Sequence, residues 1–539
     1  MARHPWHAAA CVAGVLLIAA ALATIPAGRR PFWSSDEARV ALLARSALDD
    51  GRWLVAELRG QDYLNKPQLF FWSVAFASLP FGRVTESSAA IPPILAATAA
   101  VAGVIAVGLR LWGWSTGALA GLVLATTPLH FDMAHQVLPD IMLTAWLAWA
   151  LYFLVGAARS GWPAAPLVGL YACLTAALLS KGPAGLAGVA AAAVAVTFTD
   201  GAAALRRMRP VLGLGAMLVI AAAVWLVPYQ LHSVGRFSGQ VLGGHYVTWY
   251  VLGSMVDRLE GLSEPLPAFL PWTVLLAAAP FWWRQNPDPA RRRVVLWTAT
   301  VWVLIGLSGT FRSRYVLPVL PGLALLTAEV LTAPVTGRAA RALRWAMLSC
   351  AALAAMITLA LWSPAVQRAL TVGLSPEDRT YLPSGAGERA VMALLALAAA
   401  ASLALAARRH AARVGAIALG LALAGMLVIE GFRYPVRYTR AFDIRPLAAA
   451  AAAGLPRDGV VFGHPDLRLS YDMYLPHRVV ELPTEADVRA RLATDAGARV
   501  IMPATRWEAL ARGVDPGWRV LASAELRERT MVVVGRGTP

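Results

Sequence analysis

The sequence predicts a polytopic α-helical membrane protein of about thirteen transmembrane helices with a small C-terminal α/β domain. Three observations carry that reading. Hydrophobic residues make up 58% of the chain and charged residues 15%, whereas a soluble domain is about one quarter charged. Apolar runs long enough to cross a bilayer recur, such as 89–108 and 391–407. Short arginine clusters lie between them. The formal net charge of +17 sits largely in those clusters, so its expected partner is an anionic lipid surface and not nucleic acid. Cys11, Cys173 and Cys350 all lie in apolar segments; they read as small buried hydrophobes and build no disulfide framework.

The first apolar run, 7–27, exceeds the core of a signal peptide and reads as a retained helix. Arg3 ahead of it places the N-terminus in the cytoplasm. A long polar and aromatic segment, 28–88, follows outside. Spans are expected near 89–109, 113–132, 138–157, 164–180, 183–198, 211–230, 264–283, 294–309, 315–334, 345–363, 389–407 and 414–430. Alternation from the first span puts four basic clusters inside: Arg206, Arg207 and Arg209; Arg291, Arg292 and Arg293; Arg338, Arg341 and Arg344; Arg408, Arg409 and Arg413. An odd number of spans leaves the C-terminus outside. Residues 1–432, including the first outer loop, are expected to form the membrane domain. Residues 433–539 are expected to form a linker and an α/β domain, with strands near 459–462, 478–482, 499–502 and 531–534 and a helix over 485–496.

Only two lysines occur, Lys66 and Lys181, among 48 Lys plus Arg. Arginine serves wherever a generic cation is needed, so these two positions ask what an ammonium alone can do. A compact charge with three rotatable donors suits a phosphate oxygen in a tight site. Chance survival in an arginine-biased composition is the plainer alternative.

The first outer loop holds Asp36 and Glu37. A carboxylate there can take a proton from an incoming hydroxyl or amine; equally, Asp36 can cap a helix with Glu37 in its first turn. Beyond Lys66, the aromatics Phe70, Phe71 and Trp72 read as interface anchors. Asp140 enters an apolar helix, where an ionisable group is costly and functional by default. His130 and His135 with an acid could ligate a metal, although loop histidines are more often interfacial. No cofactor is assigned, and a divalent metal is left open. Further along come Arg236, His245 and Tyr246, then Arg314 and Tyr315. The register of the spans places Asp36, Lys66, Asp140, Lys181, His245, Arg314 and Tyr315 on one side of the membrane. Acids and fixed cations at a lipid boundary suit a reaction on a phosphate-linked lipid, the cations stabilising the departing phosphate.

Six segments occur in order: Ser35-Asp36-Glu37-Ala38-Arg39, Gly51-Arg52-Trp53-Leu54-Val55, Tyr63-x-x-Lys66-Pro67, Pro139-Asp140-Ile141-Met142-Leu143, Ser180-Lys181-Gly182-Pro183 and Arg314-Tyr315-Val316-Leu317-Pro318. In these the chain resembles the GT-C class of membrane glycosyltransferases, in particular the lipid A aminoarabinose transferases and the protein mannosyltransferase-like group. The resemblance implies an inverting transfer of a sugar from an undecaprenyl or other polyprenyl monophosphate to a lipid A, glycan or protein acceptor on the periplasmic face. It implies a multi-pass, monomeric protein of the bacterial inner membrane. It implies Asp36 as catalytic base and Asp140 as a second important acid. Lys66 would contact the donor phosphate and Tyr315 would help to hold it. Tyr63, Arg314, Lys181 and His245 complete the substrate-binding candidates. The chain departs from the aminoarabinose transferases at Asn65, where they carry an acid, and at Gly244, where they pair Glu with the histidine. A transporter or flippase of lipid-linked sugars is the alternative; it calls for mid-membrane ionisable groups and repeat symmetry, and neither is evident.

Overall fold

A computed structural model describes residues 5–233, 235–371, 383, 385–456, 458–463, 469–526 and 529–536. Arg3, the cue to the N-terminal orientation, lies outside them. Two compact units interleave along the chain. The first comprises Met1–Ala27, Leu64–Ser73 and Ala90–Phe432; the second comprises Gly28–Tyr63, Val74–Ala89 and Arg433–Pro539.

The first unit is built of helices, and each of the thirteen expected spans falls on helical structure. Among the described residues nine helices are long and apolar enough to cross a membrane, or ten if the pair Met255–Ala268 and Trp272–Trp283, bent by 91°, is one span. The chain is thus a multi-pass membrane protein, and the gap between the two counts has physical causes. Ala164–Asp200 counts as a single run of 37 residues, yet the chain doubles back inside it. Gly182 takes φ +66°, and Gly185 packs so closely on Ala177 and Leu178 that a Cβ would lie 2.4 Å from the Leu178 nitrogen. The run is therefore two helices joined at a tight turn, Ala164–Lys181 and Leu186–Asp200. The expected span 113–132 breaks at Pro128 into Trp114–Ala125 and Pro128–Ala134. Pro289–Gly306 carries three arginines in its first turns.

The arginines at 291 and 293 correct one expectation. They are buried against protein carboxylates and do not face a lipid surface. Arg291 binds Glu329 through two nitrogens, at 3.2 and 2.6 Å, and Arg293 binds both oxygens of Asp200 at 2.8 and 2.7 Å. Phe70 and Phe71 are likewise buried, at 2% and 3% exposure, so they are packing residues and not interface anchors.

In the second unit the helix Ser35–Asp49 starts at Ser34, whose hydroxyl accepts the Glu37 amide at 3.2 Å. Ser34 is the cap; Asp36 and Glu37 occupy the first turn, where carboxylates favour the helix dipole. Strands β1 (Glu57–Leu58) and β2 (Gln61–Asp62) form a short antiparallel pair. The C-terminal part carries a five-stranded sheet of β3 (Val460–Gly463), β4 (Arg478–Glu481), β5 (Arg499–Pro503), β6 (Trp518–Leu526) and β7 (Arg529–Arg536) in the order β4-β3-β5-β7-β6. Pairing of β3 with β4 and β5 is parallel, and β7 pairs antiparallel with β5 and β6. Side chains alternate across the sheet. Val500, Met502, Val532 and Val534 face Val488, Leu492, Trp507 and Leu510; Ile501, Met531 and Val533 face Leu447, Ala451 and Tyr471. Residues of the outer loop join this unit. Arg59 forks onto Asp472 at 2.9 and 2.8 Å and reaches Glu481 at 2.8 Å. The Tyr474 hydroxyl donates to Glu86 at 2.8 Å and accepts the Phe32 amide at 2.9 Å.

Candidate functional site

In the first unit, four candidates from three segments meet. Asp140 lies in the first turn of Pro139–Arg159, and Lys181 ends the helix before the Gly182 turn. The Lys181 ammonium lies 2.5 Å from Asp140 Oδ1, and Arg314 Nε lies 3.9 Å from Oδ2. The ammonium also sits 4.0 Å from the centre of the Tyr315 ring, with the Arg314 guanidinium at 5.7 Å. Cations over an aromatic face in a partly desolvated site are held without being neutralised. The Asp140 side chain is 3% exposed and that of Lys181 14%. Lys66 is within electrostatic reach of Asp140 as well. Lys181 and Arg314 thus gather on Asp140, with Lys66 at longer range, and such a group of cations suits an anionic ligand.

The Lys66 segment is held by its backbone. The Tyr229 hydroxyl donates to the Lys66 carbonyl at 2.9 Å and the Tyr246 hydroxyl to the Asn65 carbonyl at 2.8 Å. Gln68 donates to the Val224 carbonyl at 2.7 Å. His245 precedes Tyr246 on the same element, their rings 5.5 Å apart.

Asp36 and Tyr63 belong to the second unit. Asp36 pairs with Arg39 at 2.5 Å, while Glu37 pairs with Arg30 at 2.9 and 2.6 Å. The Glu37 side chain is fully buried and that of Asp36 is 22% exposed, so Glu37 is a packed ion pair and Asp36 the accessible acid. Burial pushes the Tyr63 phenol up to about 12; Asp36 acts in the same direction and Arg39, which hydrogen-bonds it, opposes.

His135 Nε2 lies 3.0 Å from the Leu22 carbonyl, and His130 has a backbone partner at Ala97. Among the described residues no group of three His, Cys, Asp or Glu could hold a metal ion. One residue that sequence reasoning passed over stands beside the cluster. Tyr250 lies close to Tyr315, Asp140 and the backbone of Ala184; burial, then Tyr315 and Asp140, raise its pKa. Its spacing of four from Tyr246 places both on one helical face, and that was the available signal.

Over 98% of both chains the structure superposes on ArnT from Cupriavidus metallidurans in the apo state, with TM-score 0.78 and 20% identity. The chain has the GT-C fold. The same protein bound to undecaprenyl phosphate gives TM-score 0.75 and 19% identity, over 97% of both chains. The profile of the family described as dolichyl-phosphate-mannose-protein mannosyltransferase matches residues 65–227. That stretch of the GT-C fold carries Lys66, Asp140 and Lys181. Two undecaprenyl phosphate-α-4-amino-4-deoxy-L-arabinose arabinosyl transferases are similar in sequence. The one from Erwinia tasmaniensis is 26% identical over 63% of each chain. The one from Pseudomonas aeruginosa is 28% identical over 57% of each. The chain thus spans a little under two thirds of the length of these relatives. The chain thus has the GT-C fold and resembles the aminoarabinose transferases.

Proposed function

We propose that the protein is an inner-membrane glycosyltransferase that moves a sugar from an undecaprenyl or related polyprenyl monophosphate to an acceptor at the periplasmic face. The observation that carries this reading is the gathering of Lys181 and Arg314 around Asp140 and on the Tyr315 ring in a helical membrane unit. A lipid phosphate leaving group is the anion such a cluster suits, and a partly buried site strengthens the attraction. The names of the relatives, and the undecaprenyl phosphate held by the Cupriavidus protein, favour the same donor class.

In this reading the acceptor oxygen attacks the anomeric carbon on the face opposite the phosphate. As the new C–O bond forms, the bond to the phosphate oxygen breaks and its electron pair leaves with the polyprenyl phosphate. The configuration inverts. Asp36, which is paired with Arg39, takes the acceptor's proton. Lys66, Lys181 and Arg314 hold and neutralise the phosphate, and Tyr315 supports the cations. Asp140 fixes Lys181 and Arg314 in place. The acceptor class, whether lipid A, another glycan or a protein, is to be read from envelope lipids and glycans of a deletion strain by mass spectrometry.

The decisive variant is Asp36→Asn. In proteoliposomes supplied with donor lipid it should lose transfer by at least about a hundredfold, the low end of what a general base contributes. It should still bind undecaprenyl monophosphate. Transfer at the wild-type rate would remove Asp36 as the base.

A further inference from the structure

The two lysines are flexible point charges, and their separation must be set by what holds their backbones. Tyrosines perform that task on both sides. Tyr229 and Tyr246 donate to the successive carbonyls of Lys66 and Asn65, at 2.9 and 2.8 Å. The Tyr246 hydroxyl also rests on the turn that follows Lys181. Gly182 has φ +66°, and a Cβ there would stand 2.9 Å from the Tyr246 oxygen and 3.6 Å from Pro67 Cδ. Glycine therefore serves two purposes at 182: it adopts the left-handed conformation and lets the phenol approach. One helical turn beyond, Tyr250 lies near the backbone of Ala184, with its ring 6.4 Å from that of Tyr246. Tyr229 is buried against Phe237, which also packs on Trp225, and Trp225 packs on Tyr246. The phenols thus belong to one packed aromatic group and not to independent surface contacts.

We infer that Tyr246, assisted by Tyr229 and Tyr250, is a positioning residue that sets the spacing of Lys66 and Lys181 as a two-point clamp for the donor phosphate. The inference rests on the donor reading above. Tyr246 acts through the Asn65 carbonyl and the Gly182 turn.

The test uses the full-length protein in nanodiscs, with undecaprenyl monophosphate as the binding probe and a parallel transfer assay. Tyr246→Phe removes one hydroxyl and keeps the ring. Loss of a hydrogen bond of this kind should weaken binding about five- to tenfold, with KM rising more than kcat falls. In the Lys66→Ala background the further loss from Tyr246→Phe should shrink below about twofold, because residues acting through one another are not additive. Wild-type binding by Tyr246→Phe, when Lys66→Ala is weakened, overturns the tyrosine proposal alone. So does an undiminished loss in the Lys66→Ala background, which is the signature of a merely structural tyrosine. Unaltered binding by Lys66→Ala would overturn the phosphate reading, and this inference with it.

Discussion

Two buried ion clusters in the membrane unit are built on opposite principles. Around Glu329 a carboxylate is saturated: Arg291 reaches both its oxygens, and the indole nitrogens of Trp282 and Trp283 donate to it at 3.1 and 3.2 Å. Around Asp140 a single carboxylate faces Lys181, Arg314 and, at longer range, Lys66. The first arrangement balances charge and hydrogen bonds among protein groups, as a buried pair must if it is to persist. The second gathers several cations on one acid and props them on an aromatic ring. A carboxylate enclosed by its own donors is a fastening, whereas a group of cations gathered on one acid suits a ligand.

That contrast can be broken by mutation. The largest effect on folding is expected from Glu329→Ala, which strands Arg291 without its carboxylate. Removing one partner of a buried pair costs about 3–5 kcal/mol, so the melting temperature of detergent-solubilised protein should fall sharply. Donor affinity of the molecules that remain folded should stay near wild type. Asp140→Asn should do the reverse. Turnover should drop by about a hundredfold or more, the scale seen when one group that fixes an electrostatic clamp is lost, with a small change in melting temperature. If Asp140→Asn unfolded the protein as readily as Glu329→Ala, the distinction between fastening and clamp would collapse.

The smallest effect lies in the second unit. The folded state raises the Tyr63 phenol to about 12 from its ordinary value of 10. A raised folded pKa means the neutral phenol is the stabilised form. That contribution is complete below pH 10 and is lost as the pH climbs from 10 towards 12. Wild-type protein should therefore lose more stability than Tyr63→Phe across that interval, measured by denaturant titration at each pH. Parallel curves would show that Tyr63 is better solvated than its packing implies.

The helical framework was legible because bilayer-length apolar runs have few alternative fates. The strands at 460, 478, 499 and 529 were legible from short β-branched runs. Trp518–Leu526 escaped because WRVLASAEL mixes small and charged residues and only its Trp518 is buried. Arg291 and Arg293 looked like loop charges, since their partners Glu329 and Asp200 are remote in sequence. Tyr229 and Tyr250 escaped for the same reason, and the contacts of Tyr246 with Asn65 and Gly182 were equally hidden.

The amino-acid sequence alone shows which segments can enter a bilayer and which scarce ionisable residues stand at the ends of apolar helices. Those are local properties, decided by hydropathy, helix length and residue chemistry. Only the tertiary structure decided that Asp140, Lys181, Arg314 and Tyr315 touch and that Glu329 is saturated. It also decided that tyrosine hydroxyls hold the backbone around Lys66 and at the turn after Lys181. Contacts across long stretches of chain depend on how helices pack, and packing is a property of the whole set of side chains, not of any one segment.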